Sequence, residues 1–316
     1  MAQNLRISVL MATFNGASHL REQMDSILKQ EGPEISLYIS DDGSTDSTVQ
    51  ILQEFENKFP SKIHLLPPSS RTQGACIHFL NILQNVDSDL FLFADQDDIW
   101  TFDHVKSLYE KYQSLNDSEK AKPILIFSDM KIIDANGKVF ADSFLKTENL
   151  PQGVPNSHFY FVQNNVSGCV SLLNSALKRL VLKNSELLFQ NTQKIPMHDF
   201  FFATTAATFG NIYFVRKLLS FYRKHANNAV GIQQVKNGKH ILKRLTQQSA
   251  DLERSIQYTD FFATYFKEDL EAGEFQILQD FANIKSRSKL SRIGWMLKHG
   301  FLKYGIFRKC VQLWNA

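Results

Sequence analysis

Apolar segments rich in β-formers alternate with amphipathic helical ones from the first residues, and each apolar segment stops at a polar turn. "RISVLMAT" breaks at "FNG", and "ASHLREQMDSILKQ" follows with Leu20, Met24 and Ile27 along one helical face. "ISLYIS" ends in "DDGS", and "STDSTVQILQEF" opens a second helix with Ser44 or Thr45 as its expected cap. "KIHLL", a helix over about 74–85 and "DLFLFAD" continue the series. This alternation predicts an α/β fold: a mostly parallel, doubly wound sheet flanked by helices. The carboxyl ends of parallel strands share one edge, and ligands sit there. Thr13 and Asn15, Asp41 and Asp42, and Asp95 to Asp98 therefore converge on one crevice.

Further on, Asn136-Gly137 between two β-like runs signals a hairpin. A helix is expected near 174–184, and another after Pro196 with His198 and Asp199 in its first turn. "NIYFVRKLLSFYRKH" reads as strand material, and the pattern is helical from about 240. We divide the chain at about residue 235 into a catalytic domain and a helical C-terminal extension, residues 236–316. Of the 316 residues 43% are hydrophobic, which argues against disorder. Cys76, Cys169 and Cys310 have no metal-ligand spacing and read as thiols in a reducing compartment. The N-terminus is not expected to act as a signal peptide, and no transmembrane helix is predicted.

"LFLFADQDDIW" poses the chemical question. A buried strand ends at Asp95, Asp97 and Asp98, which repel one another. Such a cluster suits a hard divalent cation, Mn²⁺ or Mg²⁺, which takes oxygen ligands from carboxylates and phosphates. The alternative is a polar loop whose acids cap the next helix.

In this order, "SVLMATFNG", "ISDDGSTD", "FADQDDIW" and "MHDFFFA" resemble glycosyltransferase family 2, which has the GT-A fold. "ADQDDIW", "MHDFFFATTAATFG" and "FYRKHANNAVG" resemble its bacterial rhamnosyltransferase-like branch, and the likeness covers about residues 5–232. The resemblance implies an inverting, metal-dependent sugar transfer. Thr13 and Asn15 would lie beside the nucleotide. Asp42, with Asp41, would read the pyrimidine base by accepting its N3–H, although Asp41-Asp42-Gly43 also suits a plain turn. Asp97 would be the principal metal ligand, with Asp95 on ribose or metal; the role of Asp98 stays open. Asp199 would be the catalytic base, the alternative being a first-turn acid. Arg223, Lys224 and His225 would face the leaving diphosphate, and His225 is a further candidate for the metal. Gly74 matches a family glycine near the nucleotide, and Arg71 would approach base or phosphate. Trp100 lines the sugar pocket or belongs to the core. "NNVSGCV" (164–170) matches the acceptor side, or is a polar turn.

The expected donor is dTDP-L-rhamnose, with UDP- or dTDP-hexoses next, and the expected acceptor a cell-surface or lipid-linked glycan. Residues 281–316 hold eight Lys or Arg and no Asp or Glu, although the whole chain nets only +3. Over 286–309 these alternate with aromatic and aliphatic residues, as in an interfacial helix on a membrane surface. That would place the enzyme in the cytoplasm, peripheral on the inner membrane face. Packing on the catalytic domain, a homo-oligomer contact and nucleic-acid binding are the alternatives; the net charge is too small to imply a nucleic-acid partner by itself, and the favoured reading has none. Two other classes compete: a nucleotidyltransferase, which lacks its Gly-rich, Lys-bearing loop here, and a non-catalytic sugar-nucleotide-binding subunit, against which the intact Asp95, Asp97 and Asp199 argue.

Overall fold

The computed structural model describes residues 5–67, 74–224 and 239–315, with side chains from 251 onward in the last segment. The chain opens β1 (Ile7–Thr13), α1 (Leu20–Leu28), β2 (Ser36–Asp41), α2 (Thr48–Lys58), β3 (Ile63–Leu65), α3 (Ala75–Asn85) and β4 (Leu90–Asp95). This is the alternation expected from sequence. The expected cap of the second helix is corrected: the helix starts at Thr48, whose backbone N–H is satisfied by Asp46. Ser44 and Thr45 instead belong to the turn after β2.

The middle of the chain carries β5 (Ile99–Trp100), α4 (His104–Gln113), α5 (Asp117–Lys120), β6 (Ile124–Ile133), β7 (Val139–Ala141) and α6 (Phe144–Thr147). Then follow β8 (Ser171–Asn174), α7 (Ser175–Val181), α8 (Ser185–Gln190), α9 (His198–Phe209) and β9 (Asn211–Arg223). The hairpin at Asn136-Gly137 joins β6 to β7, with Gly137 at φ +82°, where a glycine costs nothing.

The strand order is β3-β2-β1-β4-β8-β6-β9-β5, with β7 on β6. The first four strands are parallel; β8 runs against both β4 and β6, and β6 and β9 are parallel. The doubly wound expectation therefore holds for the N-terminal half only. Past β4 the strands are no longer linked by crossover helices in turn, and β8 enters from the far side of the sheet. The carboxyl ends of β1, β2 and β4 nonetheless share one edge: Thr13 pairs with Asp41 and Ala12 with Asp95.

One face of the sheet packs on α1, α2 and α4 through Met24, Ile27, Ile51, Val105 and Leu108. The other face is covered by α3, α7 and α9, and then by the C-terminal helices: α10 (Lys239–Tyr265), α11 (Ala272–Ala282), α12 (Lys289–His299) and α13 (Ile306–Asn315). Helix α9 is apolar all round, as a helix buried between two layers must be. Phe201 meets Phe262 and Phe266 of the α10 region, and Phe161 meets Phe301. The helices after residue 239 thus share one hydrophobic core with the sheet.

Candidate active site

The crevice begins where β1 and β2 end. Asp41 accepts hydrogen bonds from Gly43 N (3.1 Å), Ser44 N (2.7 Å), Ser44 Oγ (2.5 Å) and Thr13 Oγ1 (2.9 Å). Its oxygens are occupied by its own turn. Thr13 is buried beneath it. Asn15, at φ +48°, accepts from Thr45 N (2.8 Å) through its side chain and donates its own N–H to Ser44 Oγ (2.7 Å). Thr13, Asn15 and Asp41 therefore build the wall, and Asp42 is the acid next in line. Burial lowers the pKa of His78 on α3 against the opposing pull of Asp42 and Asp41, which places a neutral imidazole beside that acid.

The loop after β4 is fastened from several sides. Gln96, between the two acids of the Asp-x-Asp, pairs with both the N–H and the C=O of Phe14 (2.9 and 3.0 Å). A Cβ at Gly16 would lie 2.2 Å from Gln96 Oε1, so a larger residue there would displace this amide from Phe14. Asp98 turns inward, fully buried, and accepts from Arg223 N (3.1 Å), while its Oδ2 has no hydrogen-bond partner among the described residues. Oxygens of Asp95 and Asp98 and the Cys169 Sγ lie within 4.8 Å of one another. Burial, then repulsion from Asp97 and Asp199, raises the pKa of Asp95. Burial, then Asp95 and Asp97, raises that of Asp98 further. Burial and the adjacent Asp98 push the Cys169 thiol up, so it stays protonated.

Asp199, in the first turn of α9, completes the crevice. Its carboxylate accepts from Gly168 N (3.2 Å) and Asn164 Nδ2 (3.5 Å), both in the segment before β8. Burial lifts its pKa to about 6 against the lowering pull of the backbone N–H groups of Gly168 and Phe200. The neighbouring His198 packs among Phe79, Phe93 and Phe202, neither ring nitrogen is hydrogen-bonded among the described residues, and burial holds its pKa at about 3. It is a neutral wedge that seats the first turn of α9.

Residues 8–162 match the model of the glycosyl transferase family 2. A Shigella flexneri protein named dTDP-rhamnosyl transferase RfbG is 31% identical over 229 residues, which is 70% of this chain and 73% of that one. The chain belongs to glycosyl transferase family 2. Its fold is GT-A: it is similar to residues 1–349 of Staphylococcus aureus TarS in complex with UDP-GlcNAc (TM-score 0.52, 17% identity, covering 98% of this chain and 89% of that one). It is likewise similar to the Pyrobaculum calidifontis mannosyltransferase PcManGT in complex with GDP-Man and Mn²⁺ (TM-score 0.50, 14% identity, covering 99% and 84%).

In this glycosyltransferase the expected site residues divide into groups. Asp42, Asp95, Asp97 and Asp199 sit at one edge of the sheet, and Asp95 feels the charge of both Asp97 and Asp199. Gly74 caps α3 at φ +148° and ψ +153°, a conformation open essentially to glycine alone. Arg71 and His225 lie outside the described residues. Lys224 sits 5.9 Å from the Phe140 ring centroid. Two expectations are corrected. Trp100 is only 3% exposed and stacks on His104, so it belongs to the core and gives a sugar no wall. Arg223 is 2% exposed and its guanidinium is spent on protein partners, so it is not a free cation for a diphosphate. Gln96, His78 and Gly168 carry no signal in an unaligned sequence, because their contacts join residues 31 to 82 positions apart.

The acid cluster fits a hard cation. Asp98, fully buried, and Asp95, half-buried, repel each other, and a divalent charge would stabilise the pair. Two of the three donor atoms brought together are carboxylate oxygens, which suit a hard divalent cation.

Proposed function

We propose that this glycosyltransferase moves L-rhamnose from dTDP-L-rhamnose, with inversion, to a hydroxyl of a cell-surface or lipid-linked glycan. The observation that carries the mechanism is Asp199: a carboxylate aimed by Gly168 N–H and Asn164, held at a pKa of about 6, beside the acid loop. A general base works best with a pKa near the working pH. Asp199 takes the proton from the acceptor hydroxyl as that oxygen attacks the anomeric carbon. The bond to the diphosphate breaks on the opposite face. Asp42 accepts the N3–H of the pyrimidine. Asp97 and Asp95 would hold Mn²⁺ or Mg²⁺, which supplies neutralising charge for the departing diphosphate. The Shigella relative's name supports dTDP-rhamnose as donor.

Catalytic residues among the described ones precede residue 225, which supports keeping 1–235 as the catalytic unit and 236–316 as an extension. In that extension Trp295, Met296 and Phe301 face the core, whereas Leu290, Leu297, Ile306, Phe307 and Trp314 are exposed. Lys289 lies over the Trp314 ring at 4.9 Å and donates to its carbonyl, which joins α12 to the end of α13. We read this exposed apolar and basic surface as the contact with the inner membrane face. No helix among the described residues is long and apolar enough to cross a membrane.

The test of the donor is thermal shift with dTDP-rhamnose, UDP-glucose, UDP-galactose, UDP-GlcNAc and GDP-mannose, each with and without Mn²⁺ or Mg²⁺. A ligand at about 100 times its dissociation constant stabilises by about 2.7 kcal/mol. A metal-dependent shift with dTDP-rhamnose is expected. A shift with a UDP-sugar alone would discard rhamnose, and no shift with any donor would remove the donor reading.

A further inference from the structure

The stretch that aims Asp199 is neither strand nor helix: one 3-10 helix (Ser157–Phe161) ends before it, and the next starts at Gly168. Its position is therefore set by hydrogen bonds to other segments and not by a regular ladder. Three amide side chains in succession make such bonds. Gln163 Oε1 accepts from Tyr304 N (2.6 Å), in the connector between α12 and α13. Asn164 closes a turn on Val166 through both its N–H and its C=O (2.9 and 2.8 Å) and reaches Asp199 Oδ1 at 3.5 Å. Asn165 Nδ2 donates to the carbonyls of Pro151 and Gly153 (2.8 Å each). The preceding 3-10 helix rests on the same C-terminal helices. His158 pairs through Nδ1 with the His299 carbonyl (2.5 Å) and through Nε2 with Glu274 (2.9 Å), and its ring stacks on Phe301. The connector is itself seated: Lys303 N donates to the buried Gln312 (2.8 Å), and a Cβ on Gly305 would meet Asn149 Nδ2 at 2.6 Å.

We propose that Gln163 is a positioning residue through which the C-terminal extension sets the Asp199 carboxylate. The inference rests on the reading of Asp199 as the base. Gln163 is joined by one peptide bond to Asn164, so a shift of its side-chain anchor moves the Asn164 amide. At 3.5 Å that amide is already at the long limit of a hydrogen bond, and a small outward movement breaks it. Gly168 N, 3.2 Å from the other Asp199 oxygen, is carried by the same stretch. Without these two donors the carboxylate turns in the crevice, and a misplacement of about 1 Å costs about 100-fold in rate. An apolar side chain would serve a mere packing contact equally well. The half-buried Gln163 instead offers the Tyr304 N–H an oxygen at 2.6 Å, which fixes one geometry.

The experiment is hydrolysis of dTDP-rhamnose by the full chain with Mn²⁺, read as released dTDP. Water replaces the acceptor hydroxyl: its oxygen bonds the anomeric carbon, its proton goes to Asp199, and the diphosphate leaves. Wild type is compared with Gln163→Met, which keeps the shape and removes the oxygen, Gln163→Glu, which keeps an acceptor, and Asp199→Asn. Gln163→Met is expected to lower kcat about tenfold or more and to leave the donor KM within about twofold. Gln163→Glu should retain most of the wild-type kcat. If Gln163→Met lowers the melting temperature but keeps kcat, Gln163 is a structural staple only and the proposal fails. Equal losses in Gln163→Met and Gln163→Glu, or a rise in donor KM that matches the fall in kcat, overturn it as well. A wild type no faster than Asp199→Asn would instead overturn the base reading and the positioning role with it, a result distinct from the others.

Discussion

Replacing Asp199 by Asn is expected to remove turnover while making the protein more stable, a pairing that a structural acid would not give. Burial raises the Asp199 pKa from 3.8 to about 6. In the unfolded chain the group ionises near pH 4, so from there up to about pH 6 the folded state holds a proton that the unfolded state has lost. The stability tied to that proton is fully present below the unfolded pKa and is lost as pH rises through about 6. At pH 8 the ionised carboxylate therefore costs the fold, by a shift of about two units, roughly 3 kcal/mol at most. Asn carries no charge to bury, and its amide still accepts from Gly168 N. A gain of about 1–3 kcal/mol at pH 8, dwindling toward pH 4, follows; in a chain of this size that is a few degrees in melting temperature. Turnover should fall about 10²–10⁴-fold, the usual contribution of a positioned base. The assay is paired: product formation under saturating donor, and thermal melts from pH 4 to pH 8. Wild-type kcat/KM should rise with pH and level off above about 6. A variant that keeps its turnover refutes the base. A variant that melts lower at pH 8 than wild type refutes the burial argument.

Gly168→Ala places a Cβ about 2.8 Å from His198 Nε2, against a ring wedged between phenylalanines. The strain should cost about 1–3 kcal/mol in denaturant unfolding and shift the N–H that aims Asp199. Steady-state kinetics should show a larger loss in kcat than in donor affinity; the reverse would place Gly168 outside the catalytic step. For the C-terminal surface, sedimentation with anionic vesicles should pull down wild type at low salt, and Phe307→Ser with Trp314→Ser should weaken that binding without lowering donor affinity. Equal binding by wild type and variant would return this surface to protein packing.

Much of the fold was legible in the sequence because its causes are local. The period of Leu20, Met24 and Ile27 marks the buried stripe of α1, and the short apolar run Leu90–Ala94, bounded by acids, suits a strand buried on both faces. The polar ends of β1, β2 and β4 were legible for the same reason: parallel pairing puts Thr13 opposite Asp41, and Ala12 opposite Asp95, once the alternation is read. The place of β8 was not legible, since no local pattern states which way a strand enters the sheet.

Within the site, sequence by itself determined the chemistry: which acids stand at the strand ends and which acid opens α9. Tertiary structure decided how each is used. Asp41 and Asp42 are neighbours in sequence, yet Asp41 is consumed by three hydrogen bonds of its own turn and one from Thr13 on β1. Arg223 has the side chain of a diphosphate ligand, and its burial against Asp97, Ala135 and Glu22 turns it to protein partners instead. Trp100 is drawn into the core by His104. Residue type fixes what a side chain can donate or accept; which partner it finds depends on segments up to 201 positions away, and those distances exist only once the chain has folded.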